Sequence, residues 1–166
     1  SGLTRDSLFA CAAVPHILAA LGITSHLVFH SHDWQFVTTA LTVKQALLEG
    51  VLQSAAVVLT SHNPYDSELT DETMRLVTLR TAATRWPTLR ADPDLDQRDS
   101  FYERMLPLLD GPITTVSRDF AVELTEDPLQ TFHFANHLQE IFARQRVIGV
   151  NNGLFLAPTC PFPEKV

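Results

Sequence analysis

The feature that most constrains the fold is residues 55–60, an apolar run without the polar alternation of a half-exposed strand. Runs of this kind are typical of strands that are covered on both faces, as in parallel sheets. A second short apolar run, residues 25–30, precedes it, and residues 34–49 between the two carry a helical pattern that ends at Gly50. Strand, helix and strand joined by short links predict a right-handed βαβ unit and a parallel sheet.

The same alternation returns in the second half of the sequence. Residues 112–116 predict a strand, and Ser117 is placed to cap a helix that reaches residue 124. Residues 135–144 predict a further helix and residues 146–150 a last strand. With the first unit, these elements define the α/β class: a Rossmann-like parallel sheet flanked by helices.

The amino-terminal segment predicts a helix that precedes the first strand. Residues 3–21 are apolar at helical spacing, and Gly22 provides a stop. Pro15 lies inside this pattern and lacks the N–H that a helix interior requires. We therefore expect the helix to be kinked or divided at this proline.

The chain predicts one domain with two irregular parts. Residues 1–156 form the expected Rossmann-like domain, which we interpret as partial. Residues 65–99 contain prolines and polar residues that predict a surface insertion, with an irregular loop over about 91–99. Residues 157–166 are too rich in proline for regular structure and are interpreted as a linker or tail.

Charge and cysteine content exclude several classes of function. With 12 basic and 19 acidic residues, the net charge of −7 argues against non-specific binding of nucleic acid. No apolar run approaches the roughly 20 residues that a membrane helix needs, and residues 1–10 do not resemble a signal peptide. Cys11 and Cys160 show no metal or disulfide spacing, which favours a reducing compartment, the cytoplasm or the plastid stroma.

Polar residues follow every predicted strand. Because parallel strands end at one edge of the sheet, these residues are expected to lie along a common crevice, where open α/β sheets bind ligands. Such an edge suits a hydroxyl-rich ligand such as a sugar, with Trp34 or Tyr65 offering an apolar face to the ring. The four segments are residues 30–34, 61–66, 117–119 and 151–153.

Each segment also has a simpler structural interpretation. Asp33 is a preferred N-cap residue, with His32 then a solvated neighbour, and residues 62–64 could be a plain turn because Asn precedes Pro. Ser117 could be only a cap, and residues 151–153 would form a turn in most proteins. The position that the segments share, after every strand, is what favours a ligand site.

Other site chemistries find little support. His30 and His32 are two positions apart on a strand end, and no third ligand stands at a known spacing, so no metal site is predicted. The nucleophile elbow GxSxG of serine hydrolases is absent, as are the dinucleotide and nucleotide loops GxGxxG and GxxxxGK[ST]. The sequence therefore predicts neither a metal nor a bound cofactor.

At these strand ends the sequence resembles the ADP-glucose-dependent glycogen and starch synthases of bacteria and plastids. That family carries the segments DVVHAHDWHTAL, TVHNLAYQG, TVSPTYAEEI and GILNGID, in this order. Each segment is weak alone, but the four together are specific, and the resemblance covers about residues 8–155. Their counterparts here are LVFHSHDWQ at 27–35, LTSHN at 59–63, TVSRDFAVEL at 115–124 and IGVNNGLF at 148–155.

The resemblance implies a GT-B fold, in which two Rossmann-like domains enclose the active site between them. The chain would be part of the amino-terminal domain, which lines the acceptor side of the cleft. The implied activity is retaining transfer of glucose from ADP-glucose or UDP-glucose to the non-reducing end of an α-glucan. The implied partners are the α-glucan acceptor, the nucleotide-sugar donor and the remaining domains of the same protein, and the donor is a substrate, so no cofactor is implied.

The resemblance also assigns roles to individual residues. His62 would be the catalytic residue that stabilises the charge developing on the transferred glucose, as an oxocarbenium-like state requires. The other site residues would bind the substrate. They are Asp33, His32, Trp34, Asn63 and Asn152.

The sequence departs from the family pattern in four places. The Lys-Thr-Gly-Gly-Leu loop that holds the nucleotide phosphates is absent, as is the whole carboxyl-terminal domain. Residues 64–67 replace the LAYQG continuation, and Phe155 replaces an aspartate. We therefore predict no glucosyl transfer by this chain alone, and an exposed sheet edge that leads to marginal stability or self-association. Two alternatives stay open: a non-catalytic half-domain that binds glucan or protein, and a GT-B enzyme of the sucrose- or trehalose-synthase type.

Overall fold

The computed structural model describes residues 2–70, 100–127 and 137–151, and it confirms the α/β class. The insertion predicted over 65–99 and the tail over 157–166 lie outside these ranges, except for residues 65–70. The helices are α1 (Gly2–Ala20), α2 (Asp33–Val37), α3 (Thr39–Leu48), α4 (Phe101–Met105), a 3-10 turn (Leu106–Leu108), α5 (Arg118–Glu126) and α6 (Leu138–Ala143). The strands are β1 (Leu27–His32), β2 (Ala55–Ser61), β3 (Ile113–Thr115) and β4 (Val147–Gly149).

The four strands form one parallel sheet in the order β1-β2-β3-β4. All four strands were predicted, but β1 lies two residues later than residues 25–30. The cause is a turn at His26, which has a φ of 57° and donates its N–H to Ser54 Oγ at 2.7 Å. Pairing with β2 then begins at Leu27 opposite Ala55, so that His32 lies inside the strand.

α1 runs without a break through Pro15, so of the two expected outcomes, a kink or a division, the division does not occur. A proline cannot donate to the carbonyl four residues earlier, which here belongs to Cys11. The hydroxyl of Thr42, on α3, donates to that carbonyl at 2.7 Å and takes the place of the missing N–H. The same bond ties α1 to α3. The expected stop at Gly22 is confirmed, with a φ of 77°.

The single helix predicted over 34–49 is divided into α2 and α3, with Thr38 between them. Thr38 keeps right-handed helical angles, so the chain bends only slightly at this point. Thr38, Thr39 and Thr42 follow one another closely here, and threonine hydroxyls compete with the backbone for hydrogen bonds. The buried hydroxyl of Thr38 has no hydrogen-bond partner within the described residues. α3 leads into Gly50, which has a φ of 73°.

The core lies on the side of the sheet that the helices cover. Along β2, the alternate residues Val57, Leu59 and Ser61 are buried, whereas the residues between them are half-buried. Among the residues that the structure describes, the larger of two core clusters joins the helices α1 to α6 to β2 and β3. It includes Leu8, Val37, Leu41, Leu59, Phe101, Tyr102, Ile113, Leu124, Leu138 and Phe142.

β1 lies at an edge of the sheet among the described strands. Val28, the second residue of this strand, is 69% exposed and lies on the same face of the sheet as His30 and His32. Apolar side chains of α1 are also exposed, among them Phe9, Val14 and Ile17. A groove of about 330 Å³ separates α1 from β1 and is lined by residues that include Val14, Phe29 and Phe36.

Candidate functional site

Asp33 joins the ends of the first two strands. It directly follows β1 and has a φ of 56°, in the left-handed region that Asp tolerates better than most residues. In this conformation its Oδ1 accepts the backbone N–H of His62 at 2.6 Å and that of Asn63 at 3.3 Å. These two N–H groups lie just beyond the last residue of β2. The carboxylate therefore fixes the path of the chain after β2.

This geometry corrects the simpler interpretation of Asp33 as an N-cap. The N-cap position of α2 is held by His32, whose side chain makes no capping bond, and Asp33 is the first residue of the helix. The Asp33 carboxylate is instead committed to the backbone of the neighbouring strand end. Residues 62–63 are accordingly more than a plain turn, because the Asp33 carboxylate accepts both of their N–H groups.

Three imidazole rings stand together at this edge. The ring centroids of His30 and His32 are 4.4 Å apart, and those of His32 and His62 are 5.2 Å apart. Nδ1 of His32 lies 2.9 Å from Nε2 of His62. Desolvation and then the neighbouring His30 and His62 rings lower the pKa of His32 from its ordinary 6.5, while Asp33 acts in the opposite direction. The structure thus brings His32, Asp33, His62 and Asn63 together, as the sequence predicted.

Trp34 lies at the margin of the core. Its ring packs against Phe101 with centroids 5.5 Å apart, and the side chain is half-buried. Part of the indole surface therefore packs against the larger core cluster. Contact between Trp34 and a sugar ring stays a prediction. Tyr65, the other aromatic residue considered, is 45% exposed.

A buried polar group beneath the site was missed by the sequence analysis. Tyr102 donates its hydroxyl to Ser61 Oγ at 3.4 Å, directly before His62, and burial raises the pKa of this phenol. Asp66 accepts the N–H of Ser67 at 2.8 Å and that of Tyr102 at 3.3 Å. Its other oxygen lies 2.9 Å from His137 Nε2, and its side chain is fully buried. These residues are remote in sequence, and only the departure from the family pattern at residues 64–67 pointed to this region.

The ends of β3 and β4 are used differently. Ser117 Oγ accepts the N–H of Phe120 at 3.0 Å, which confirms the predicted cap of α5. Asn151 Oδ1 accepts the N–H of Arg118 at 3.2 Å and satisfies a second free group of the same helix end. A Cβ on Gly149 would lie 2.2 Å from the carbonyl oxygen of Ser117, so β4 passes very close to this cap. Asn152, a predicted substrate-binding residue, lies outside the described residues.

Two further observations bear on metals and membranes. Among residues 2–70, 100–127 and 137–151, no three His, Cys, Asp or Glu side chains are grouped to hold a metal ion. Over the same part of the chain, no helix combines the length and the apolar character needed to cross a bilayer.

Comparison with known proteins agrees with this architecture. Residues 3–143 match the family of the starch synthase catalytic domain, so the chain belongs to that family of glycosyltransferases. This confirms the family expected from the four strand-end motifs. The sequence has no significant match among curated proteins.

A solved structure shares the fold. It is the catalytic domain of starch synthase IV from Arabidopsis thaliana bound to ADP and acarbose, which aligns with a TM-score of 0.64 and 21% sequence identity. The alignment covers 93% of this chain but 30% of that chain. The chain therefore spans less than a third of the length of that catalytic domain.

Proposed function

We propose that this chain is the acceptor-side portion of a retaining α-glucan synthase. The complete enzyme would transfer glucose from a nucleotide-glucose donor to the non-reducing end of an α-glucan. The family match supports an α-glucan synthase over the sucrose- or trehalose-synthase alternative. The ADP bound in the similar Arabidopsis structure favours ADP-glucose over UDP-glucose as the donor.

The observation that carries this proposal is the bond from Asp33 to the backbone of His62 and Asn63. It unites the two most characteristic family motifs, HDW and HN, in a single arrangement at the carboxyl edge of the sheet. An edge of this kind is where ligands bind in open α/β folds. The exposed His32, His62 and Asn63 side chains give it hydrogen-bonding groups suited to sugar hydroxyls.

In the proposed reaction, His62 is the residue next to the transferred glucose. A retaining transfer passes through a state with positive charge near the anomeric carbon, so oriented dipoles and hydrogen-bond acceptors lower the barrier. Asp33 would hold the His62 backbone in the required orientation. His32, Trp34 and Asn63, and Asn152 from the segment after β4, would bind sugar hydroxyls or ring faces.

The donor side of the cleft would come from the remaining domains of the same protein. Neither the Lys-Thr-Gly-Gly-Leu loop nor a second Rossmann-like half occurs in this sequence. We therefore expect this chain to bind α-glucan but not to transfer glucose. Location in the cytoplasm or the plastid stroma stays a prediction.

Titration of the chain with maltoheptaose tests this proposal. In nitrogen-labelled protein, the backbone signals of Asp33, His62 and Asn63 should shift, whereas those of Arg118 and Asp119 should not. Incubation with ADP-glucose or UDP-glucose and maltoheptaose should release no nucleoside diphosphate. If the folded chain shows no shifts at saturating maltoheptaose, or if it turns over either donor, the assignment as an acceptor-side portion is wrong.

A further inference from the structure

The contact between His32 and His62 requires a shared proton. The two facing nitrogens, Nδ1 of His32 and Nε2 of His62, are 2.9 Å apart, which is a hydrogen-bond distance between heavy atoms. A neutral imidazole has one N–H and one bare nitrogen. One ring must therefore donate and the other accept, and the choice fixes the tautomers of both rings together.

The outer nitrogens then have complementary roles. If His32 donates, its Nε2 is a bare acceptor and Nδ1 of His62 carries a proton. If His62 donates, Nε2 of His32 carries the proton and Nδ1 of His62 is the acceptor. In both cases the neutral pair presents one donor and one acceptor, and both side chains are exposed. The lowered pKa of His32 favours the neutral ring that this arrangement needs.

The third ring, His30, does not take part in this exchange. The Thr114 hydroxyl donates to the carbonyl of Leu59 at 3.1 Å and so accepts from Thr60 at 2.6 Å. In this arrangement Thr60 Oγ1 accepts from Nε2 of His30, at 2.7 Å. This row of hydroxyls is consistent with a proton on Nε2 of His30 and uses that nitrogen, so that it does not face His62. The ring of His30 packs against His32 and supports it from the side.

We propose that His32 and His62 form one hydroxyl-binding unit, in which His32 positions the His62 ring and the pair offers one donor and one acceptor to neighbouring hydroxyls of a sugar. A hydroxyl group both donates and accepts, so two adjacent hydroxyls match the pair in either tautomeric state. The proton between the rings moves to suit the ligand. This assignment rests on the proposed function, because it takes an α-glucan as the ligand.

The pairing itself is tested without a ligand. Long-range proton–nitrogen correlation spectra, recorded above neutral pH, report which nitrogen of each histidine carries the proton. His32→Phe keeps a ring but removes both nitrogens, and it should shift the ring nitrogens of His62 toward the tautomer mixture of a solvated imidazole. His32→Asn keeps a hydrogen-bonding group near the position of Nδ1 and should restore much of the native pattern.

The matched control is His26→Asn, at the opposite end of β1, where asparagine tolerates the positive φ. It should leave the His62 ring signals unchanged. If His32→Phe also leaves them unchanged in a folded protein, the pairing is wrong. Recording the tautomers of the unaltered chain decides the question even if the Phe variant fails to fold, since the pairing requires protons on complementary nitrogens.

Maltoheptaose affinity tests the role in ligand binding. His32→Phe should bind about tenfold more weakly, as the loss of an oriented hydrogen bond predicts, while His26→Asn stays within about threefold of the unaltered chain. His32→Asn should lie between the two, because it keeps the contact to His62 but lacks the outer nitrogen of His32. Equal affinity of His32→Phe and the unaltered chain would overturn the hydroxyl-binding unit alone. No binding by the unaltered chain, with the ring pairing intact, would overturn the proposed function and the ligand assignment with it.

Discussion

At the β1–β2 end of the sheet, Asp33 reaches across to the neighbouring strand end, and His32 contacts His62. At the β3–β4 end, Ser117 and Asn151 both turn toward the first N–H groups of α5. Polar residues at the carboxyl ends of parallel strands thus support a candidate ligand site after β1 and β2 and a helix cap after β3 and β4.

The difference follows from the helices that begin at each place. α5 has 9 residues, and two of its free N–H groups are satisfied by Ser117 and Asn151. α2 has only 5 residues, and Asp33 enters it with a left-handed backbone that directs the carboxylate away from the helix. A polar residue at a strand end is therefore available for ligand binding only when the following helix does not use it as a cap.

The largest expected loss of stability follows from a substitution at the carboxyl ends of β3 and β4. Gly149→Ala places a Cβ within 2.2 Å of the Ser117 carbonyl oxygen, and neither backbone can move without losing the cap. We expect the free energy of unfolding to fall by about 3 kcal/mol, measured by urea denaturation. Gly111→Ala is the matched control, because its Cβ would meet only Val58 Cγ1 at 3.4 Å. Equal losses in the two variants would mean that β4 does not pack tightly on the cap.

Asp33→Ala should weaken the β1–β2 end in two ways. The His62 and Asn63 N–H groups lose their acceptor and turn to water, since both residues are exposed, and alanine tolerates the left-handed backbone poorly. The free energy of unfolding should fall by about 1–2 kcal/mol, and maltoheptaose binding should be lost. Asp119→Ala, an aspartate in the first turn of α5, should keep the binding. Loss of binding in both variants would contradict the division between the two ends.

Ser117→Ala removes the cap of α5 and should lower the free energy of unfolding by about 1 kcal/mol. Ser117→Asp keeps an acceptor at the cap and should recover most of this loss. Both variants should bind maltoheptaose as the unaltered chain does, which calorimetry can check. Weaker glucan binding by Ser117→Ala, at equal folded fraction, would place the β3 end in the ligand site.

The smallest effect concerns pH. The pKa of His32 lies below 6.5, so the folded chain binds a proton less readily than the unfolded chain. His32 therefore contributes to the free energy of unfolding. This contribution is fully present above pH 6.5 and is lost as the pH falls through the pKa of His32 in the folded chain. A histidine titration by NMR should give an apparent pKa below 6.5 for His32, and His30→Ala should raise it by removing a neighbouring charge. A value at or above 6.5 would be evidence against the close ring cluster.

Much of the fold could be predicted because its signals are local. The apolar runs, the glycines at positions 22 and 50 and the Ser117 cap each lie within a few residues of the element they define. The parallel order follows from alternating elements joined by short links. The gathering of His32, Asp33, His62 and Asn63 could be predicted for the same reason, since neighbouring parallel strands end at one edge.

The parts that could not be predicted depend on contacts between distant segments. The orientation of Asp33 is set by N–H groups 29 and 30 positions later. The buried group of Asp66, Tyr102 and His137 joins segments that no periodicity relates. The division of the helix after residue 37 lies next to buried threonines, of which Thr39 and Thr42 contact Cys11 on α1.

The bond from Thr42 to the Cys11 carbonyl has an evolutionary consequence. Pro15 is tolerated inside α1 because a hydroxyl 31 positions after Cys11 replaces its missing N–H, so the two sites are not free to vary independently. Loss of the threonine hydroxyl should therefore cost more stability while the proline is present than after an alanine has replaced it. We therefore expect a change at one of these two positions to alter the tolerance for changes at the other, because one hydrogen bond links them.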